Sequence, residues 1–215
     1  MTSWEFQVRF HGRGGQGVVT AAELLSVAAF LEGRCAQAFP SFGSERAGAP
    51  VTAFCRISDG EIRTRAPVTE ADALVVQDAT LLHDAGLTRG LRPHGYLLVN
   101  TSRSVEELPL PASVRALPGD HLVTVPATEL ALRHVGRPVP NAVLLGGLAA
   151  LCGVVRLESV ASAIGERFPG RVAGSNVVAA TAAFDLVSQA APRRWAAAPA
   201  SVGPRTEGPV DAHAD

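Results

Sequence analysis

The run Gly12-Arg13-Gly14-Gly15-Gln16-Gly17 is the part of this 215-residue chain whose residue types and spacing could do chemistry. Three of its glycines, Gly12, Gly14 and Gly17, match the Gly-x-Gly-x-x-Gly pattern of dinucleotide-binding turns. Glycine lets a backbone turn sharply and come close to a phosphate. The free amides and positive dipole end of a following helix then favour an anion. Gln16 adds a side-chain amide that can hold a ligand or brace the loop. Gly12, Gly14, Gly15, Gln16 and Gly17 are therefore the candidate cofactor-binding residues. A tight strand–helix turn without any ligand would need the same glycines, so that reading stays open.

The flanking elements suit the motif. Residues 5–11 alternate, with Phe6, Val8 and Phe10 on one side, which predicts a strand. Residues 18–31 predict a helix, with Leu24, Leu25, Ala28 and Leu31 on its apolar face. As an NAD site the pattern is incomplete. A carboxylate for the ribose belongs about 20 residues on, at the end of the second strand. That strand, residues 35–39, ends at Pro40 without one. Glu32 stands at roughly the right count, but at the end of the first helix, and reads as a solvated helix residue. No Gly-Lys-Ser/Thr follows the glycines, so an ATP-type P-loop is excluded. His11 directly precedes the turn and reads as a strand-end histidine bonded locally. No histidine stands with a serine or cysteine in a triad arrangement.

Residues 41–50 form an irregular loop, and 51–57 a strand. Asp59-Gly60 reads as a hairpin turn with 61–65 returning antiparallel. Residues 73–77, 96–100 and 121–125 are short apolar strands of the doubly buried kind, and 79–87 a short helix. Residues 141–152, 157–168 and 176–190 read as helices. The predicted fold is α/β: a Rossmann-like, mostly parallel sheet with helices on both faces, an antiparallel hairpin and a helical C-terminal third. One domain over residues 1–190 and a Pro/Ala-rich tail over 191–215 are expected, the tail disordered by composition.

Composition narrows the function. A formal net charge of -1 without a basic stripe argues against nucleic acid as partner. The three cysteines, Cys35, Cys55 and Cys152, are scattered. A cluster held by cysteine alone needs four thiolates, and zinc needs paired spacing, so neither is expected here. Scattered, reduced thiols fit a cytoplasmic protein. Neither a signal-peptide core nor a membrane-length apolar run is expected.

Two segments together carry a resemblance. One is the glycine turn with residues 18–22. The other is Phe39-Pro40-Ser41-Phe42-Gly43-Ser44-Glu45-Arg46-Ala47-Gly48-Ala49-Pro50-Val51, running on to Ile57. In this order they resemble the gamma subunit of the pyruvate/2-oxoacid:ferredoxin oxidoreductase family, and the similarity covers residues 5 to about 190. Ser44 and Ala47 depart from the family, which often has proline and arginine there. The resemblance implies a complex that decarboxylates a 2-oxoacid on thiamine diphosphate with Mg2+. It passes electrons through [4Fe-4S] clusters to ferredoxin and releases an acyl-CoA. Those cofactors belong to alpha-, beta- and delta-type partner subunits. The gamma region is expected to pack on them and help with coenzyme A. Phe42, Glu45 and Arg46 are the candidate interface residues, Arg46 because a guanidinium fork suits carboxylate or phosphate. The small subunit of an arylpyruvate-type relative, which shares the Gly-Gly-Gln-Gly loop, is the nearest alternative; a purely structural subunit and a stand-alone nucleotide-binding module are the others.

Overall fold

A computed structural model describes residues 4–41, 48–84 and 86–191 of the chain. Among the described residues six strands form one sheet: β1 (Glu5–Arg13), β2 (Cys35–Pro40), β3 (Pro50–Ser58), β4 (Ala71–Val76), β5 (Leu91–Asn100) and β6 (Leu122–Val125). Their spatial order is β2-β3-β1-β4-β5-β6. β1, β4, β5 and β6 run parallel, and β3 runs antiparallel to both of its neighbours. The helices are α1 (Val18–Leu31), α2 (Ala112–Arg115), α3 (Ala127–Val135), α4 (Asn141–Cys152), α5 (Leu157–Arg167) and α6 (Gly170–Ala190).

Strand alternation sorts the side chains into two cores. Ala53, Phe10, Val75, Leu98 and Val123 lie in one register row and meet α1, α3, α4, α5 and α6. Phe54, Leu74, Leu97 and Leu122 lie on the opposite face. That face is covered by shorter pieces: 3-10 turns at Ala79–His83 and Val105–Glu107, and the one-turn α2. Helical segments thus cover both faces, with the long ones on one side.

α4 explains its own sequence. Residues 141–151 are buried throughout, because the helix runs between the sheet and α6. A Cβ on Gly146 would sit 1.9 Å from the Ala180 carbonyl oxygen, so glycine permits backbone-close contact with α6. Gly147 faces the sheet, where a Cβ would meet Leu98 Cδ2 at 3.2 Å.

Several expectations shift. Residues 61–65 do not pair as a strand. Both edges of β3 are already taken, by β1 and β2, so no ladder position remains for them. The buried Arg56 guanidinium instead grips this stretch through the Thr64 and Ala66 carbonyls, at 3.3 and 2.6 Å. The antiparallel hairpin exists, but its arms are β2 and β3. The predicted helix over 79–87 shortens to one 3-10 turn. α6 starts at Gly170, directly after Pro169, rather than at 176. Leu31 is 43% exposed and does not join the buried face of α1. The tail beyond residue 191 lies outside the described residues.

Gly146→Val should lower stability by about 3 kcal/mol or more, because the new side chain meets the α6 backbone, which cannot give way as a side-chain end would. Gly147→Ala, which meets only the side-chain ends of Leu98 and Val187, should stay within about 1 kcal/mol of the parent. Denaturant unfolding of the two variants checks the difference.

Candidate functional site

The glycine turn sits at the carboxyl ends of the parallel strands β1, β4 and β5, where α/β sheets bind ligands. The antiparallel β1–β3 ladder ends at the Arg13–Pro50 pair but its hydrogen bonding continues into the turn. The Gly14 amide donates to the Ala49 carbonyl at 2.9 Å, and the Gly48 amide donates to the Gly14 carbonyl at 3.3 Å. Both backbone groups of Gly14 are therefore occupied within the chain. An ordinary dinucleotide turn keeps this flank clear, which agrees with the missing ribose carboxylate.

Each remaining glycine has a local reason. A Cβ on Gly12 would fall 2.7 Å from Val18 Cγ2 and 2.9 Å from Gln16 Oε1. Gly17 is left-handed (φ 72), and a Cβ there would fall 2.5 Å from Asn141 Nδ2. The N-termini of α1 and α4 thus abut at this glycine. Gly15 is also left-handed (φ 94), but it is exposed, with open space where a Cβ would stand. The first turn of α1 has no side-chain cap and no acidic residue, so its positive end is left uncompensated.

A clasp fixes the turn to β4. Gln16 Oε1 accepts from the Arg13 amide at 2.8 Å, and Gln16 Nε2 donates to Asp78 Oδ2 at 3.2 Å. The Arg13 guanidinium donates to Asp78 Oδ2 (3.0 Å), the Gly48 carbonyl (3.1 Å) and Thr80 Oγ1 (2.9 Å). Asp78 Oδ1 accepts from the Thr80 amide at 3.0 Å and the Thr80 hydroxyl at 2.5 Å. Burial opposes the Asp78 charge, but the Thr80 and Gln16 hydrogen bonds and the Arg13 guanidinium outweigh it. The carboxyl is held below the usual range. Gln16 is thus a brace, and Arg13 is spent on three acceptors of its own chain.

Among the residues singled out from the sequence, Phe42, Glu45 and Arg46 lie outside the described residues. His11 points to the face opposite α1, in a row with Thr52 and Val76. Its Nδ1 is 3.3 Å from Thr52 Oγ1, as a locally bonded strand-end histidine requires. Its Nε2 is buried without a partner among the described residues. Burial, with Arg9 adding to it and Asp84 opposing, lowers its pKa to about 4. Glu32 is not a solvated residue. It is 11% exposed and accepts from the Arg156 amide at 2.7 Å, where α5 begins. It follows the C-terminus of α1, far along the helix from the turn, and so cannot serve a nucleotide there. None of the three cysteines is in a disulfide: Cys35 opens β2, Cys55 is buried in β3, and Cys152 ends α4. Burial pushes the Cys55 thiol up, so it is inert. No metal-holding group of His, Cys, Asp or Glu occurs among the described residues. None of the described helices is long and apolar enough to cross a membrane.

Sequence reasoning did not assign Asp78, Thr80, Gln77 or Asn141 to the site. The first two carried a detectable sign, an Asp-x-Thr turn directly after a buried strand. Gln77 is 1% exposed, and neither polar atom of its amide has a partner among the described residues. Only its place beside Gly12 in the folded sheet makes it notable.

Two pH responses follow. The Asp78 carboxyl is depressed in the fold, so its stabilisation is present above the ordinary aspartate value and fades as pH falls through the folded value. Asp78→Asn should be about 1 kcal/mol less stable near neutrality, and the gap should close in strong acid. His11 is depressed to about 4. The unfolded chain therefore binds its proton first, and stability should drop by about 2–3 kcal/mol as pH falls from about 6.5 to 4. His11→Gln should flatten that part of the stability–pH curve in equilibrium unfolding.

Comparison with known proteins agrees with this architecture. A family model described as "Pyruvate ferredoxin/flavodoxin oxidoreductase" matches residues 7–186. The "Pyruvate/ketoisovalerate oxidoreductases common subunit gamma" of Thermococcus kodakarensis is 48% identical over 179 residues, 83% of this chain and 95% of that protein. The crystal structure of pyruvate oxidoreductase subunit PORC from Thermotoga maritima superposes with a TM-score of 0.70 at 35% identity, over 84% of this chain and 96% of that one. A 2-oxoglutarate:ferredoxin oxidoreductase from Magnetococcus marinus shares the fold at 16% identity and a TM-score of 0.67, over 89% of this chain and 32% of that one. With a match over most of its length, the chain belongs to the pyruvate ferredoxin/flavodoxin oxidoreductase family, as a gamma-type subunit.

Proposed function

We propose that this chain works inside a thiamine diphosphate- and iron–sulfur-dependent complex that converts a pyruvate-like 2-oxoacid to acyl-CoA and CO2. Ferredoxin or a similar carrier takes the electrons. The chain itself supports assembly and coenzyme A access. Catalytic cofactors then sit on alpha-, beta- and delta-type partners in the cytoplasm. The relatives named as gamma or PORC subunits of pyruvate oxidoreductases support that reading.

The observation that carries the coenzyme A role is the uncapped N-terminus of α1 beside the exposed, left-handed Gly15. It offers backbone amides and a positive dipole end to a phosphate. Arg13 contributes no charge to such a ligand, because Asp78 neutralises it. The solved Magnetococcus marinus enzyme is described with coenzyme A and succinyl-CoA bound; at 16% identity it supports the fold and not the contact. One feature favours a second reading, in which the glycines serve packing alone. The Gly14 backbone is already paired with Gly48 and Ala49.

Gly15 separates the two. Asparagine and aspartate have the same shape and tolerate left-handed backbone comparably. In the intact complex, Gly15→Asp should raise the KM for coenzyme A about tenfold relative to Gly15→Asn, with kcat and assembly alike in both. Equal KM values would leave the packing reading. A tagged chain that purifies anaerobically without larger partner chains would remove the subunit reading altogether.

A further inference from the structure

β2 is the open edge of the sheet, and register shows which of its backbone groups are spare. The Ser41 amide donates to the Thr52 carbonyl at 2.8 Å. The pairs that follow at every second step, Phe39–Phe54, Gln37–Arg56 and Cys35–Ser58, therefore also bond across to β3. The amides and carbonyls of Ala36 and Ala38 point the other way, and no backbone group of the described residues takes them. Pro40, which has no amide to offer, falls in the same outward set. Sheets commonly blunt such an edge with a charge, a bulge, an internal proline or a very short strand. The opposite edge follows that rule, since β6 has only 4 residues. β2 has 6, half-buried throughout, with no charged residue, unbroken register against β3 and proline only at its end.

A second exposed feature lies beside this edge. α1 packs chiefly across β2 and β3. Its last turn carries Phe30, which is 72% exposed, and the half-exposed Leu31. The chain then needs only residues 32–34 to reach β2. An open strand edge and an exposed aromatic thus occur on neighbouring elements, although each arises from a different stretch of sequence.

We propose that β2 pairs with β2 of a second copy of this chain, about a two-fold axis at Gln37. Antiparallel pairing sets Ala36 opposite Ala38 of the second copy and Ala38 opposite its Ala36, which joins the amides and carbonyls of both residues on both strands. A second copy fits because the edge is complementary to itself: every group the pairing needs is already on β2. The same axis gives α1 a neighbour. Strands lie about 4.8 Å apart, so a helix centred between β2 and β3 stands about 4.8 Å from the axis. It and its copy are then about 9.6 Å apart, inside the range of about 8–10 Å for packed helices. The two helices run antiparallel, and Phe30 of each comes beside the opening turns of the other, where Val19 and Thr20 are half-buried. One contact covers both the open edge and the exposed aromatic. It is independent of the coenzyme A reading.

The test links the two strands at the axis, using the full tagged chain purified anaerobically from its host together with whatever it assembles with. Residues facing each other in a non-hydrogen-bonded antiparallel pair have Cα atoms about 4.5 Å apart, within reach of a disulfide. In a Cys35→Ser background, Gln37→Cys oxidised with glutathione disulfide should join residue 37 of one copy to residue 37 of another, as mapped by peptide mass spectrometry. Arg63→Cys, whose parent side chain is 84% exposed, should not link. Adding Phe30→Arg should cut the linked fraction about tenfold. Folding is kept, because the parent side chain is exposed in the single chain and a cation suits a helix C-terminus. Ala38→Pro should have the same effect, since it removes an outward amide and spares the bonds to β3. A link between the two introduced thiols that both variants suppress supports the pairing. A link to a larger chain gives the edge to a different partner and overturns it. So does a yield no higher than the Arg63→Cys control, or one that either variant leaves unchanged. Co-purification of larger chains, which tests the subunit reading, is scored separately from links between copies.

Discussion

The antiparallel seating of β3 against β1 is the constraint on which the carboxyl edge of this sheet depends. In a doubly wound sheet the strand beside β1 runs parallel to it and leaves the first turn open. Here β3 enters from the far end, so its first residues lie beside the last residues of β1. Pro50 pairs with Arg13, and the hydrogen bonding runs on to Ala49 and Gly48 against Gly14. One flank of the glycine turn is thereby closed by backbone. What stays open is Gly15 and the uncapped first turn of α1. The site is half a dinucleotide turn, with its anion-favouring helix end kept and its ribose side built over.

The same seating decides the electrostatics. With the turn pinned along β3, Arg13 is brought over the end of β4, and Asp78 and Thr80 take up its guanidinium. The motif's cation becomes structural. Any attraction for an anion then comes from backbone amides, which point in fixed directions and do not titrate. Burial reinforces it: His11, directly before the turn, is held neutral near physiological pH.

The helical layer is held by a different device. α4 is apolar on every side because it is buried on every side, and its two adjacent glycines serve two neighbours. Gly146 admits the backbone of α6, and Gly147 faces Leu98 of the sheet. Asn141, at the start of α4, reaches Gly17 at the start of α1. The packing that buries α4 therefore also sets two helix N-termini side by side at the carboxyl edge of the sheet.

Local sequence determined the elements whose reasons are local. Alternation of Phe6, Val8 and Phe10 specified β1, the unbroken apolar run specified α4, and the glycine spacing specified a strand–turn–helix corner, because each depends on periodicity or on φ. The order of motifs also carried the family. Pairing did not follow from local pattern. The stretch after Asp59-Gly60 has the turn chemistry of a hairpin, yet β3 had already found β1 and β2, and a strand has only two edges. Glu32 looked solvated because nothing nearby in sequence needs it; its partner, Arg156, is 124 residues away. For the same reason Asp78, Gln77 and Asn141 joined the site only when the sheet and helices brought them to Gly12, Gln16 and Gly17. Side-chain period and backbone freedom are properties of a segment, whereas edge occupancy, burial of charge and the meeting of helix ends belong to the closed fold.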